Sequence, residues 1–188
     1  MTLANQLTML RFAMALAMFA ALMQPRASAH AAAFLLFLGA MITDWVDGYV
    51  ARLTHSVSAF GKVADPIADK ILVIGALIGL SRAHLGVPLW AVFLIIAREL
   101  LMGGVRVLTI TEQGRILAAQ RWGKLSMGVQ SAAVLGMLAV LVARERLQAP
   151  ALLLRVPYAL TVLCVFTAWG SAYMYIRQSR QMIEKSWG

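Results

Sequence analysis

Charge is scarce in this chain, and negative charge scarcest of all: 8 Asp and Glu stand against 17 Lys and Arg in 188 residues. With 13% charged residues, 61% hydrophobic residues and a mean hydropathy of +0.78, an ordinary water-soluble domain is excluded. There is one cysteine, Cys164, so no disulfide framework can hold the fold, and its apolar surroundings make it a packing residue. The first 24 residues lack a basic region ahead of their apolar run and lack a cleavage signature. They read as a retained first span. A net charge of +9 and a pI near 10.6 raise the question of nucleic acid. No basic arm with stacking aromatics accompanies that charge, so no nucleic-acid partner is expected. In so apolar a chain the excess reads as basic loops at one membrane face and as sites for anionic lipid and phosphate.

Long apolar runs are what the sequence has in abundance. Six of them, at about 3–24, 31–52, 62–82, 88–110, 124–143 and 152–176, predict an all-α integral membrane protein. The expected architecture is one domain over residues 1–188, a bundle of six transmembrane helices with a short interfacial helical segment at the N-terminus. His30, His55 and His84 fall in or beside connections and read as loop residues. Six spans put both termini on one side. With these boundaries, 12 of the 17 basic residues fall on that side, among them Arg52, Lys62, Arg115, Arg121 and Lys124. The bias orients it toward the cytoplasm.

Half of the acidic residues sit in the 26-residue stretch from Asp44 to Asp69, which reads DWVDGYVARLTHSVSAFGKVADPIAD. Asp44 and Asp47 are spaced i,i+3, and Asp65 and Asp69 i,i+4, so on helices each pair occupies one face. Where the third helix begins is left open: at Asp65, with Pro66 in its first turn, or a few residues earlier, bent by Pro66. Two facing stripes would gather four carboxylates in a poorly hydrated volume, where they need compensation. Hard oxygen ligands suit Mg²⁺, Mn²⁺ or Ca²⁺. Gly48 and Ala51, almost without side chains, either allow close helix packing or leave room beside Asp47 for a flat ligand.

A second group is cationic. Arg98-Glu99 follow only about ten apolar residues of the fourth run, a depth at which ionisable groups face a polar cavity or pair together. Arg106, Arg115, Arg121 and Lys124 lie beyond. In the first run, Asn5, Thr8 and Arg11 are three apart and share a face. That face either snorkels to the interface or lines the cavity of the aspartates. Metal-bound carboxylates beside a basic pocket suit phosphate-ester chemistry, with one carboxylate as general base toward an attacking hydroxyl. A cation-coupled transporter is the rival from another class, weakened by the lack of visible inverted repeats.

The aspartate stretch fits, without gap or mismatch, the pattern D-x2-D-G-x2-A-R-x8-G-x3-D-x3-D, with Asp44, Asp47, Gly48, Ala51, Arg52, Gly61, Asp65 and Asp69 at its fixed positions. On it the chain resembles the CDP-alcohol phosphatidyltransferases. NQLTMLR at the N-terminus, DPIADK, IAREL and GKLSMGVQ add a resemblance to the bacterial branch that makes phosphatidylglycerophosphate. That branch carries Lys-Thr after the Gly-Lys pair, where this chain has Leu125-Ser126.

The resemblance implies transfer of the phosphatidyl group from CDP-diacylglycerol to glycerol 3-phosphate, with CMP released, in anionic phospholipid synthesis. It implies two divalent ions, Mg²⁺ or Mn²⁺, on Asp44, Asp47, Asp65 and Asp69, with Asp69 also the general base. Gly48, Ala51, Arg52, Gly61, Asn5 and Thr8 would hold the CDP-lipid, and Arg98, Arg106, Lys124 and Arg115 the acceptor phosphate. A homodimer in the bacterial cytoplasmic membrane is implied as well. Inositol phosphate and serine are the alternative acceptors.

Overall fold

A computed structural model describes the backbone of residues 3–54, 59–113, 120–147 and 155–186, and side chains within 6–46, 64–105, 122–146 and 155–177. Within these residues the only regular secondary structure is helical: α1 Leu3–Leu22, α2 Ala27–Thr54, α3 Ala59–Arg82, α4 Leu89–Gln113, α5 Gln120–Leu147 and α6 Arg155–Ser186. The expected N-terminal interfacial segment is not separate from the first span. Leu3–Leu22 contains neither glycine nor proline, so nothing breaks it.

The turns follow from their residues. Pro25 sits between α1 and α2, and the carbonyl of Arg26 accepts from the amides of Ala29 and His30 to open α2. Between α3 and α4, His84 (φ 52°) and Gly86 (φ 86°) adopt left-handed backbone, and the carbonyl of Pro88 then accepts from Ala91 and Val92. Pro66 lies inside α3, which settles the question the sequence left open: the helix begins at Ala59, ahead of the proline.

α1 packs against α2 and α3, α5 against α2, α3 and α6, and α4 against α3 and α6. The buried seam of α1 runs through Thr8, Arg11, Ala15, Met18 and Leu22, alternating steps of three and four. Its first two members are polar and its last three apolar. The seam therefore leads from a polar site into the main core of Phe37, Leu77, Leu80, Ile95, Met137 and Leu138. Closest approach falls at Gly79: a Cβ there would lie 2.6 Å from Leu22 Cδ1 and 2.7 Å from Leu22 Cβ. The small residues of α3 thus serve packing against α1 within the chain.

Among the described residues, three stretches are long and apolar enough to cross a membrane: Ala27–Val46, Trp122–Arg146 and Arg155–Arg177. Leu35, Phe93, Leu100, Phe166 and Tyr173 are exposed on the bundle surface. This suits a membrane protein, in which the outer face meets lipid. At one end of the bundle, His30 in the first turn of α2 is buried, and its Nδ1 lies 2.6 Å from Glu145 Oε1 on α5. The reading of His30 as a loop residue is corrected by this long-range pair. His84 does lie in a turn, where its carbonyl accepts from Arg144.

Candidate functional site

The other end of the bundle gathers the start of α1, the second half of α2, and the first halves of α3 and α5. Asp44 comes from α2 and Asp65 and Asp69 from α3. α1 supplies their partners. Thr8 Oγ1 donates to Asp65 Oδ1. Arg11 Nη1 lies 3.0 Å from Asp44 Oδ1 and 3.1 Å from Asp69 Oδ1. Residues three apart on α1 thus meet residues four apart on α3. Arg11 is fully buried behind the carboxylates it pairs with, so it does not snorkel to the interface.

Beside these carboxylates lies a cavity of about 300 Å³, lined by Asp44, Asp69, Met41, Lys124, Gly128 and Ser131 among others. Lys124, Gly128 and Ser131 stand at i, i+4 and i+7 on α5 and form one stripe facing the aspartates. Lys124 was read from the sequence as an acceptor ligand. Gly128 and Ser131 were not, although their spacing from Lys124 is the signal that finds them. Ser126 is buried and accepts a hydrogen bond from Gln130.

Arg98 is not brought to this cavity. Its guanidinium is buried between α4 and α6, with Nε donating to the Ala168 carbonyl at 3.1 Å, Nη2 to Ser171 Oγ and Nη1 to Glu99. Glu99 also meets Lys70 of α3 at 3.3 Å. A guanidinium so deep keeps its charge and must find acceptors nearby, and α6 provides them. In this structure those contacts tie α4 to α6. Lys70, missed as its partner's partner, follows Asp69 directly in sequence.

For Asn5, Asp47, Gly48, Ala51, Arg52, Gly61 and Arg106 only the helical backbone is described, and Arg115 and His55 lie outside the described residues. Among the described residues no three His, Cys, Asp or Glu groups are gathered closely enough to hold a metal ion. The donor set nevertheless fits a cation. Oxygens from two helices converge on a single guanidinium nitrogen, which occupies the place of a positive charge between them.

The sequence profile of the CDP-alcohol phosphatidyltransferase family matches residues 1–170. A Bacillus subtilis (strain 168) protein named CDP-diacylglycerol–glycerol-3-phosphate 3-phosphatidyltransferase is 46% identical over 110 residues, 58% of this chain and 56% of the relative. A Mycobacterium tuberculosis H37Rv protein named "Probable phosphatidylglycerophosphate synthase" is 40% identical over 136 residues, 70% of this chain and 63% of the relative. A Rickettsia bellii protein with the same name as the Bacillus one is 49% identical over 72 residues, 38% of this chain and 39% of the relative. The chain spans less than two thirds of the length of each of these relatives.

Proposed function

The chain belongs to the CDP-alcohol phosphatidyltransferase family, and on that premise we propose that it transfers the phosphatidyl group of CDP-diacylglycerol to glycerol 3-phosphate, giving phosphatidylglycerophosphate and CMP. The observation that carries this reading is the meeting of Asp44 and Asp69, from two helices, at a cavity that also holds Lys124. The names of the Bacillus and Rickettsia relatives support the same donor and acceptor.

Asp44, Asp47, Asp65 and Asp69 are the residues that would hold two divalent ions, Mg²⁺ or Mn²⁺. Bound there, such ions neutralise a diphosphate and stabilise CMP as the leaving group. Thr8 fixes Asp65 by its hydroxyl, and Arg11 fixes Asp44 and Asp69. Asp69 takes the proton from the acceptor hydroxyl. The freed oxygen attacks the phosphorus that carries the diacylglycerol, and the bond from that phosphorus to the CMP oxygen breaks. Lys124 holds the phosphate of glycerol 3-phosphate, with Arg106 and Arg115 as further candidates. Asn5, Gly48, Ala51, Arg52 and Gly61, with Thr8, form the CDP-lipid side.

The proposal includes six membrane spans, a homodimer, and residence in the bacterial cytoplasmic membrane with both termini and the aspartate end toward the cytoplasm. The excess of basic residues at that end supports the orientation. The test is lipid product analysis on purified protein with CDP-diacylglycerol and Mg²⁺, offering glycerol 3-phosphate, inositol phosphate or serine separately. Phosphatidylglycerophosphate formed with glycerol 3-phosphate alone supports the proposal. A product with another alcohol overturns the acceptor, and cation flux without any product overturns the chemistry in favour of transport.

A further inference from the structure

We infer that Arg11 is a resident cation of the aspartate site: it holds Asp44 and Asp69 together before any divalent ion arrives, and it sets how tightly that ion binds. The inference rests on the reading of these carboxylates as cation ligands. Its ground is geometric. One nitrogen, Nη1, reaches the Oδ1 atoms of Asp44 on α2 and Asp69 on α3 from a side chain anchored on α1. The guanidinium has no exposure to solvent, whereas the side chain of Asp44 is 54% exposed and that of Asp69 33%. The positive charge is thus seated behind the carboxylates, and the carboxylates face the cavity. Arginine does not give up its proton in a protein, so this charge is permanent.

Two consequences follow from that arrangement. Without a bound metal, two carboxylates on α2 and α3, the helices that both pack on α1, repel each other, and Arg11 converts the repulsion into a tie among α1, α2 and α3. With a metal, the same fixed charge opposes the incoming ion and weakens its hold. Arg11 is therefore a positioning residue, and it keeps divalent binding exchangeable.

The experiment measures Mn²⁺ alone binding to the full chain in detergent by electron paramagnetic resonance, together with the unfolding temperature with and without Mn²⁺. Arg11→Gln is expected to bind Mn²⁺ about tenfold more tightly than the wild type, since a like charge beside the ion has gone. Its unfolding temperature is expected to fall in metal-free buffer and to rise more steeply on adding Mn²⁺. Equal or weaker Mn²⁺ binding in folded Arg11→Gln overturns the inference. If Arg11→Gln does not fold, Arg11→Lys decides. A charge-keeping variant with nearly wild-type Mn²⁺ affinity and unfolding temperature supports the resident cation, and one that fails as Gln does overturns it. Asp44→Asn separates the two readings. Mn²⁺ binding that Asp44→Asn leaves unchanged, or that is missing from the wild type, removes the cation-site reading itself and the inference with it.

Discussion

Lys70 on α3 meets Glu99 on α4 at 3.3 Å, one residue beyond the aspartate that faces the cavity. Glu99 in turn pairs with Arg98, whose other donors reach the Ala168 carbonyl and Ser171 on α6. The buried Arg98–Glu99 pair thus ties α4 to α3 through the carboxylate and to α6 through the guanidinium. Glu99→Ala leaves the Arg98 guanidinium buried without its counter-charge and is expected to destabilise the bundle by about 3–5 kcal/mol. Unfolding in detergent checks this. The double variant Arg98→Leu, Glu99→Leu is expected to recover most of the loss, because the desolvation of both charges disappears together. A double variant no better than Glu99→Ala would contradict the account of this network.

Gly79 and Leu22 give a second, purely steric expectation. The new methyl of Gly79→Ala would strike the root of the Leu22 side chain, which cannot swing away as a flexible tip would. A cost of about 1–3 kcal/mol is expected. Gly103→Ala on α4, where a Cβ meets nothing within 4 Å, serves as the control. It is expected to be neutral or slightly stabilising, by up to about 1 kcal/mol from helix propensity. Unfolding temperatures of the two variants decide; equal effects would contradict the close approach of α1 and α3.

Lys124 is the described cation that shares the cavity with Asp44 and Asp69. Loss of one charge-assisted contact to a phosphate is worth about tenfold or more. Lys124→Ala is therefore expected to raise the KM for glycerol 3-phosphate by about that factor, with a much smaller change for CDP-diacylglycerol. Steady-state kinetics with each substrate varied in turn give the answer. An equal rise for both would place Lys124 outside the acceptor side.

The parts of this fold that were legible in the sequence are those written in local spacing. The apolar runs became helices, the pairs Asp44/Asp47 and Asp65/Asp69 fell on helices, and Thr8 and Arg11 shared the face that meets Asp65 and Asp69. What escaped was set by partners distant in sequence. His30 looked like a turn residue because its partner, Glu145, lies 115 residues away. The partners of Arg98 were hidden because nothing near it in sequence announces the Ala168 carbonyl or Ser171, about 70 residues on. Proline was ambiguous for a different reason. Pro66 suits a first helical turn, yet α3 carries it inside the helix, where it leaves one carbonyl without its usual donor.

The most direct test of the central claim is CMP release from CDP-diacylglycerol in Mg²⁺ with glycerol 3-phosphate present, for the wild type and for Asp69→Asn. The account predicts release by the wild type, abolished by chelation. It predicts at least about a hundredfold slower release by Asp69→Asn, which keeps the shape of the side chain but cannot accept the proton. Folded wild-type protein that releases no CMP, or an Asp69→Asn variant that releases it at the full rate, would contradict it.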